Sequence, residues 1–392
     1  MSSATISERP KVYSQGSTQS SGPDLPGVRL MSLDVFRGMT IAAMTLVNNP
    51  GTWSAIYPPL EHAEWHGWTH TDLVFPFFLF IAGVSMTFSF TARTKSGAKR
   101  KDLLRHTLRR AGIIFLIGFL LAFTPYFNVE RVRIMGVLQR IALCYAAAGL
   151  VYLYLSKRNR GLVIGAALVG YWALMTFVPV PGFGAGNLSS EGNLAAFIDR
   201  TLMIGHLWKP MWDPEGLLST IPAIGTTLIG TFVGEWLMTK TTWKNKVIVL
   251  AVGGAVAMII GWALHPFFPI NKGLWTSTYV IFTAGYAMIV LAVCYWLIDV
   301  QKWRAWSKPF LVFGMNAILI FTASGWLSKN MGIFRIPSEG RAVPVNAWIY
   351  QHLFAPLFTD PRNSSLAFGL SYVLFWLAIA WWFYNKKIFV KV

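Results

Sequence analysis

Charge is scarce in this chain of 392 residues. Asp, Glu, Lys and Arg together make up 13% of it, about half of what a soluble globular domain carries. That shortage, beside 54% hydrophobic residues, excludes an ordinary soluble protein and implies a bilayer as solvent. Cysteine is nearly absent: Cys144 and Cys294 are the two, both inside apolar runs. A disulfide framework is therefore not expected, and the redox compartment is not indicated. Acidic residues are few as well, leaving a net charge of +18. In a soluble protein that surplus would suggest nucleic acid, but no nucleic-acid motif accompanies it. The basic residues read instead as topology signals, with no nucleic-acid partner. The soluble catalytic signatures G-x-x-x-x-G-K-[ST], G-x-S-x-G and H-E-x-x-H are missing. No repeat of fixed period and no interdomain linker stands out. Residues 1–29 are rich in Ser, Gly and Pro without an apolar h-region, which predicts a disordered cytoplasmic tail rather than a signal peptide.

What the chain does have is long apolar runs. A span needs about 20 mostly apolar residues, and ten stretches qualify: 30–48, 72–91, 109–124, 135–155, 161–178, 217–238, 247–264, 275–298, 309–326 and 366–384. The expected fold class is all-α: a polytopic membrane protein of about ten transmembrane helices in one bundle, with 30–392 as one domain. With the N-terminus in the cytoplasm, every inner loop is basic, whereas the first outer loop, 49–71, has no Lys or Arg. The positive-inside rule then puts both termini in the cytoplasm. Loops 179–216 and 327–365 are too polar to span and would fold over the outer mouth. Gly83, Gly118 and Gly230 read as helix-packing positions.

Ionisable residues in such a chain are site candidates by default. On the expected outer side lie Asn48, Glu61, His62, Asp72, Gln139, Arg140, Asp213, Glu215, Asn271 and Lys272. They come from six parts of the chain and share one face. His62 suits proton transfer near neutral pH, Asp72 could orient its imidazole, and Asn48 could donate to a developing oxyanion. His62, His66 and His70 are four apart, a metal-ligand spacing on a helix. Pro58-Pro59 and Gly67 argue against that helix, so no metal is expected. On the inner side Asp34 and Arg37 share a helical face. Loop 92–110, RTKSGAKRKDLLRHTLRR in its core, is a basic patch that reads as topology plus attraction to anionic lipid, or as a dock for a phosphate-bearing ligand.

LDVFRGMTIAAMTLVNNPG, followed by HAEWHGWTHTDLVFPFFLFIAGVS, resembles the transmembrane acyltransferase family of heparan-α-glucosaminide N-acetyltransferase and its bacterial relatives. The resemblance continues through RIMGVLQRIALCY, DPEGLLSTI, PINKGLWTSTYV and FGMNAILIF, from about residue 29 to 384. It implies an enzyme of the bacterial inner membrane that takes acetyl groups from cytoplasmic acetyl-CoA and passes them to a saccharide acceptor on the outer face. It places the family's active-site histidine on His62 and an active-site asparagine on Asn48. The expected site is then His62, Asn48 and Asp72 for catalysis. Asp34, Arg37, Gln139, Arg140 and Asn316 are expected to bind the donor, and Asp213, Glu215, Asn271 and Lys272 the acceptor. The bilayer is the other partner, and a homodimer is left open. N- or O-acylation, and direct transfer or an acetyl-histidine intermediate, also stay open. The competing reading is a secondary transporter or a non-catalytic membrane protein for a saccharide or anionic metabolite. A transporter would be expected to show inverted repeats, and none is detected.

Overall fold

The computed structural model describes residues 30–338 and 340–390. The tail expected over 1–29 lies outside the described residues. The chain forms α1 (Met31–Val47), α2 (Val74–Lys95), α3 (Arg100–Phe123), α4 (Val137–Tyr154), α5 (Lys157–Phe177), α6 (Leu194–Leu202) and α7 (Thr220–Leu237). It continues through α8 (Trp243–Ala263), α9 (Ser277–Cys294), α10 (Lys308–Met315), α11 (Ala317–Ile333), α12 (Val345–Ile349) and α13 (Pro361–Asn385). One antiparallel hairpin, β1 (Arg335–Ser338) and β2 (Arg341–Pro344), lies between α11 and α12. The protein is thus a helical, polytopic membrane protein.

Among the described residues seven helices are long and apolar enough to cross a membrane, or eight if α10 and α11 count as one span bent by 73°. All ten expected stretches are helical, but α1 and α7 do not meet that test. α1 is too short by that measure, at 17 residues, whereas α7 is less apolar because of its place in the bundle. α1 packs against α2, α9, α10 and α13, and α7 against α2, α4, α5 and α9. A helix surrounded by protein need not be apolar all round, and α7 accordingly carries Thr, Gly and Glu235. The lipid-facing helices show the opposite pattern. α8 exposes Ile248, Val252, Val256 and Ile259, a stripe at helical spacing.

α2 is central. Its backbone lies against that of α7, because a Cβ on Gly83 would meet the Thr227 carbonyl and one on Gly230 the Phe80 carbonyl. Close approach of this kind replaces a hydrophobic driving force between helices in lipid. Two other expectations shift. α3 starts at Arg100 rather than 109, so much of the basic patch sits on the facing ends of α2 and α3, where Arg93 and His106 are 2.8 Å apart. The two long loops 179–216 and 327–365 hold α6, the hairpin and α12.

The loops gather at two ends. At one, Thr52 meets Ser365, Trp65 Nε1 donates to Leu188 O, and Ile134 N donates to His206 O. At the other, Arg160 pairs with Glu235, and Ser32 N donates to Asp299.

Candidate active site

The loop between α1 and α2 ends in a 3₁₀ turn, His70–Leu73, which runs directly into α2. Thr69 caps that turn, and Asp72 reaches back to the Thr69 amide, a reciprocal capping box. This arrangement satisfies amides that would otherwise be orphaned at a helix start. It also buries the Asp72 carboxylate, which is 1% exposed. Its Oδ2 accepts from Ala63 N at 3.1 Å and Thr69 N at 3.0 Å. Its Oδ1 faces His62 Nδ1 at 2.6 Å. Tyr279 in α9 donates to the Asp72 carbonyl at 2.5 Å, fixing the turn from the opposite side.

An acceptor-only carboxylate on Nδ1 selects the tautomer with its proton there. Nε2 is left with its lone pair, on a side chain 48% exposed. A buried carboxylate, an oriented imidazole and an open ring nitrogen are the parts a general base requires.

The third member comes from a distant part of the chain. Asn271 N donates to Thr276 Oγ1, Asn271 Oδ1 accepts from Leu274 N, and its side-chain amide donates to Trp65 O at 2.7 Å. Gly67 N donates to Ile270 O. These bonds join the 270–276 turn to the His62 loop. Trp275 follows with φ of 51° and no exposure. The left-handed region is strained for a bulky residue, at a cost of about 1–3 kcal/mol. Lys272 is thereby directed at the pair: its Nζ lies 3.1 Å from Nδ1 and 3.3 Å from Nε2 of His62, and 3.5 Å from Asp72 Oδ1. Burial pushes the ammonium below the ordinary lysine range, while Asp72 and Glu215 act to retain its charge.

Beside it stands a second polar cluster. Arg133 forks onto Asp213, with Nε to Oδ2 at 2.9 Å and Nη2 to Oδ1 at 2.5 Å, and also pairs with Glu215. Burial alone would raise Glu215, but Arg133, Arg140 and Lys272 outweigh it and hold it below the ordinary carboxylate range. Arg140 is wholly buried, donates to Gly216 O and Ser219 Oγ, and lies 5.1 Å from the Trp275 ring centre. Asp199 accepts from Leu217 N, and burial pushes its carboxyl up to about 6.

The structure thus brings His62, Asp72, Asn271, Lys272, Asp213 and Glu215 to one end, with Arg140 beside them. Asp213 and Glu215, expected to meet an acceptor, are engaged by Arg133. Asn48 is the exposed C-cap of α1, with no side-chain hydrogen bond to the His62 pair among the described residues. The expected donor-binding set divides. Arg140 lies beside the His62 end, and Gln139 is buried against Gly118 and Gly136. Asp34 and Arg37 pair at 3.0 Å in α1, and Arg37 also donates to Ser85 Oγ. Asn316 sits at the α10–α11 bend with its amide on Ile388 O and Val390 N. His66 turns to Asn271 and His70 opens the 3₁₀ turn, so the three evenly spaced histidines do not converge. Among the described residues no group of three His, Cys, Asp or Glu is placed to hold a metal ion.

Sequence reasoning missed Thr69, Tyr279, Arg133 and Asp199. The Thr69-x-x-Asp72 spacing is a capping-box signal and was legible. Arg133 was visible only as an outer-loop charge. Nothing local singles out Tyr279 or Asp199.

Fold and site together define an integral membrane protein with a carboxylate-backed histidine at one mouth of a helical bundle. The chain belongs to the family described as heparan-alpha-glucosaminide N-acetyltransferase, catalytic, whose model matches residues 29–267. It is 29% identical, over an alignment of 423 residues, to heparan-alpha-glucosaminide N-acetyltransferase of Homo sapiens. It is 28% identical over 422 residues to the Mus musculus protein of that name. Both alignments cover 93% of this chain and 60% of the relative, so the chain spans less than two thirds of the length of these curated relatives. His62, Asp72, Arg133 and Glu215 fall within the family match, and Lys272 just beyond it.

Proposed function

We propose that the chain is an acetyl-CoA-dependent acyltransferase that moves an acetyl group across the membrane to an amine or hydroxyl of a sugar, with His62 as the reacting base. The observation that carries this reading is the 2.6 Å contact of half-exposed His62 with buried Asp72. In the simplest scheme His62 Nε2 takes the proton of the acceptor as it attacks the thioester carbonyl. Asp72 holds the ring and balances the imidazolium that forms.

The donor must be anchored away from this mouth. α2 has 22 residues between the His62 turn and the basic patch, about 33 Å of helix, close to the thickness of a bilayer core. Arg37 lies partway along, ten residues before the end of α1, about 15 Å below that mouth. Its side chain keeps 25% exposure although it belongs to a helix packed inside the bundle, which fits a cation lining a cleft. We assign the donor's phosphates to the Arg37 region and the basic inner ends of α2 and α3. The sugar approaches from the opposite side. On this reading both termini face the cytoplasm of a bacterial cell.

The test is labelled acetyl-CoA supplied to inside-out vesicles, followed by mass spectrometry of acetylated sugars. His62→Ala should lower acetyl transfer by about 10²–10⁴-fold while the protein still inserts and binds the donor. Undiminished turnover in that variant would withdraw the assignment.

A further inference from the structure

We infer that Lys272 is a catalytic residue, the electrophile that stabilises the oxyanion of the acyl-transfer step. This rests on His62 being the base of an acyl transfer, and it moves the oxyanion role from Asn48 to a lysine 210 positions from His62.

A carbonyl attacked by a nucleophile resting on His62 Nε2 must have its oxygen within reach of that ring. Around His62 the amides of Ala63 and Thr69 both donate to Asp72, and that of Glu61 donates to Pro58 O. The Gly67 amide donates to Ile270 O and the Asn271 side chain to Trp65 O. Asn48 is an exposed helix cap without a link to the pair. Lys272 Nζ is 3.3 Å from Nε2, and an ammonium has three hydrogens to give. One faces Asp72 Oδ1 at 3.5 Å. Nζ is also nearly equidistant from the two ring nitrogens. It therefore lies off both in-plane lone-pair directions, and the contact is not a hydrogen bond that would occupy His62 Nε2. The base stays free and the cation stays beside it.

The 270–276 turn makes this placement rigid. Asn271 is bonded on three sides, and Trp275 is held in the left-handed region with no exposure. Donors fixed before the reaction are the form of electrostatic help that is largest in enzymes. The other charged groups near Lys272 are Glu215, with Arg133 and Arg140 behind it. With Asp213, which Arg133 also holds, the two carboxylates and two guanidinium groups balance and leave the ammonium as the cation at the mouth.

The acceptor N or O forms a bond to the thioester carbon, and its proton passes to His62 Nε2. The carbonyl π pair moves to oxygen, opposite the Lys272 ammonium. On collapse the C–S bond breaks, and the pair leaves with sulfur. The thiolate then takes the proton from His62.

The experiment separates binding from chemistry. Acetyl-CoA carrying ¹³C at the carbonyl is bound to the full chain in nanodiscs, on a His62→Ala background that does not turn over. Isotope-edited infrared spectra are then recorded with Lys272, Lys272→Arg and Lys272→Met. The carbonyl stretch should shift to lower frequency with lysine, keep part of the shift with arginine and lose it with methionine. With His62 intact, Lys272→Met should lower kcat by about 10²–10³-fold at little change in the donor KM. A structural role would change neither the bound frequency nor that split. An identical stretch in all three proteins, with donor bound, overturns the inference and leaves the His62 reading standing. Failure of the donor to bind any of them overturns both.

Discussion

At the scale of single residues, burial decides more than proximity. Asp72 and Asp199 are each 1% exposed yet play opposite parts. Asp72 faces an imidazole and an ammonium and accepts two amides. Asp199 accepts one amide from Leu217, with Asp213 nearby, and burial raises its carboxyl from 3.8 to about 6. A raised acid binds more protons folded than unfolded. Its contribution is therefore fully present below pH 3.8 and is lost as pH rises through 6. A shift of about two units corresponds to ~3 kcal/mol. Asp199→Asn keeps an acceptor for Leu217 and removes the charge. It should raise the melting temperature in detergent at pH 7.5, and by about a third as much at pH 4.5, where the loss has only begun. An equal effect at both values would place the cause elsewhere.

At the scale of elements, the site depends on how α2 is held. α2 carries the Asp72 turn at its start, and its own position is set by α7, which it touches through Gly83 and Gly230. A side chain at Gly83 would run into the backbone carbonyl of Thr227, which has no rotamer to yield. Gly83→Val should destabilise the bundle by about 1–3 kcal/mol or more, read as a lower melting temperature and a reduced folded yield. The conformational freedom of glycine is not what matters here, since neither residue has a positive φ; the missing Cβ is. The 270–276 turn is the second element on which the site depends. Trp275 in a left-handed conformation had no signature in the sequence, because that conformation is expected of Gly or Asn.

At the scale of the molecule, the two ends differ in charge. The 49–71 loop has no Lys or Arg, while the ends of α2 and α3 expose Arg93, Lys95, Lys101 and Arg105. Under the positive-inside rule that contrast predicts loop 49–71 outside and the α2–α3 end inside. Both native cysteines are buried, so single exposed cysteines can report sidedness. Glu64→Cys should react with an impermeant thiol reagent added outside intact cells, and Lys101→Cys only after the inner face is opened. The reverse pattern would invert the topology and, with it, the direction of acetyl movement.

Long apolar runs, scarce charge and its placement were enough to determine a polytopic helical membrane protein. A bilayer imposes those features on every such chain. The His62, Asp72 and Lys272 positions could be named because polar groups stand out against an apolar background. What each does was decided by packing. Asp213 and Glu215 became partners of Arg133, Asn316 became a tether for the C-terminal backbone, and α1 and α7 became interior helices. Such outcomes depend on contacts between residues far apart in the chain, Lys272 with His62 above all. No local pattern encodes the meeting of two loops 210 residues apart, and that meeting is what sets a cation beside the base.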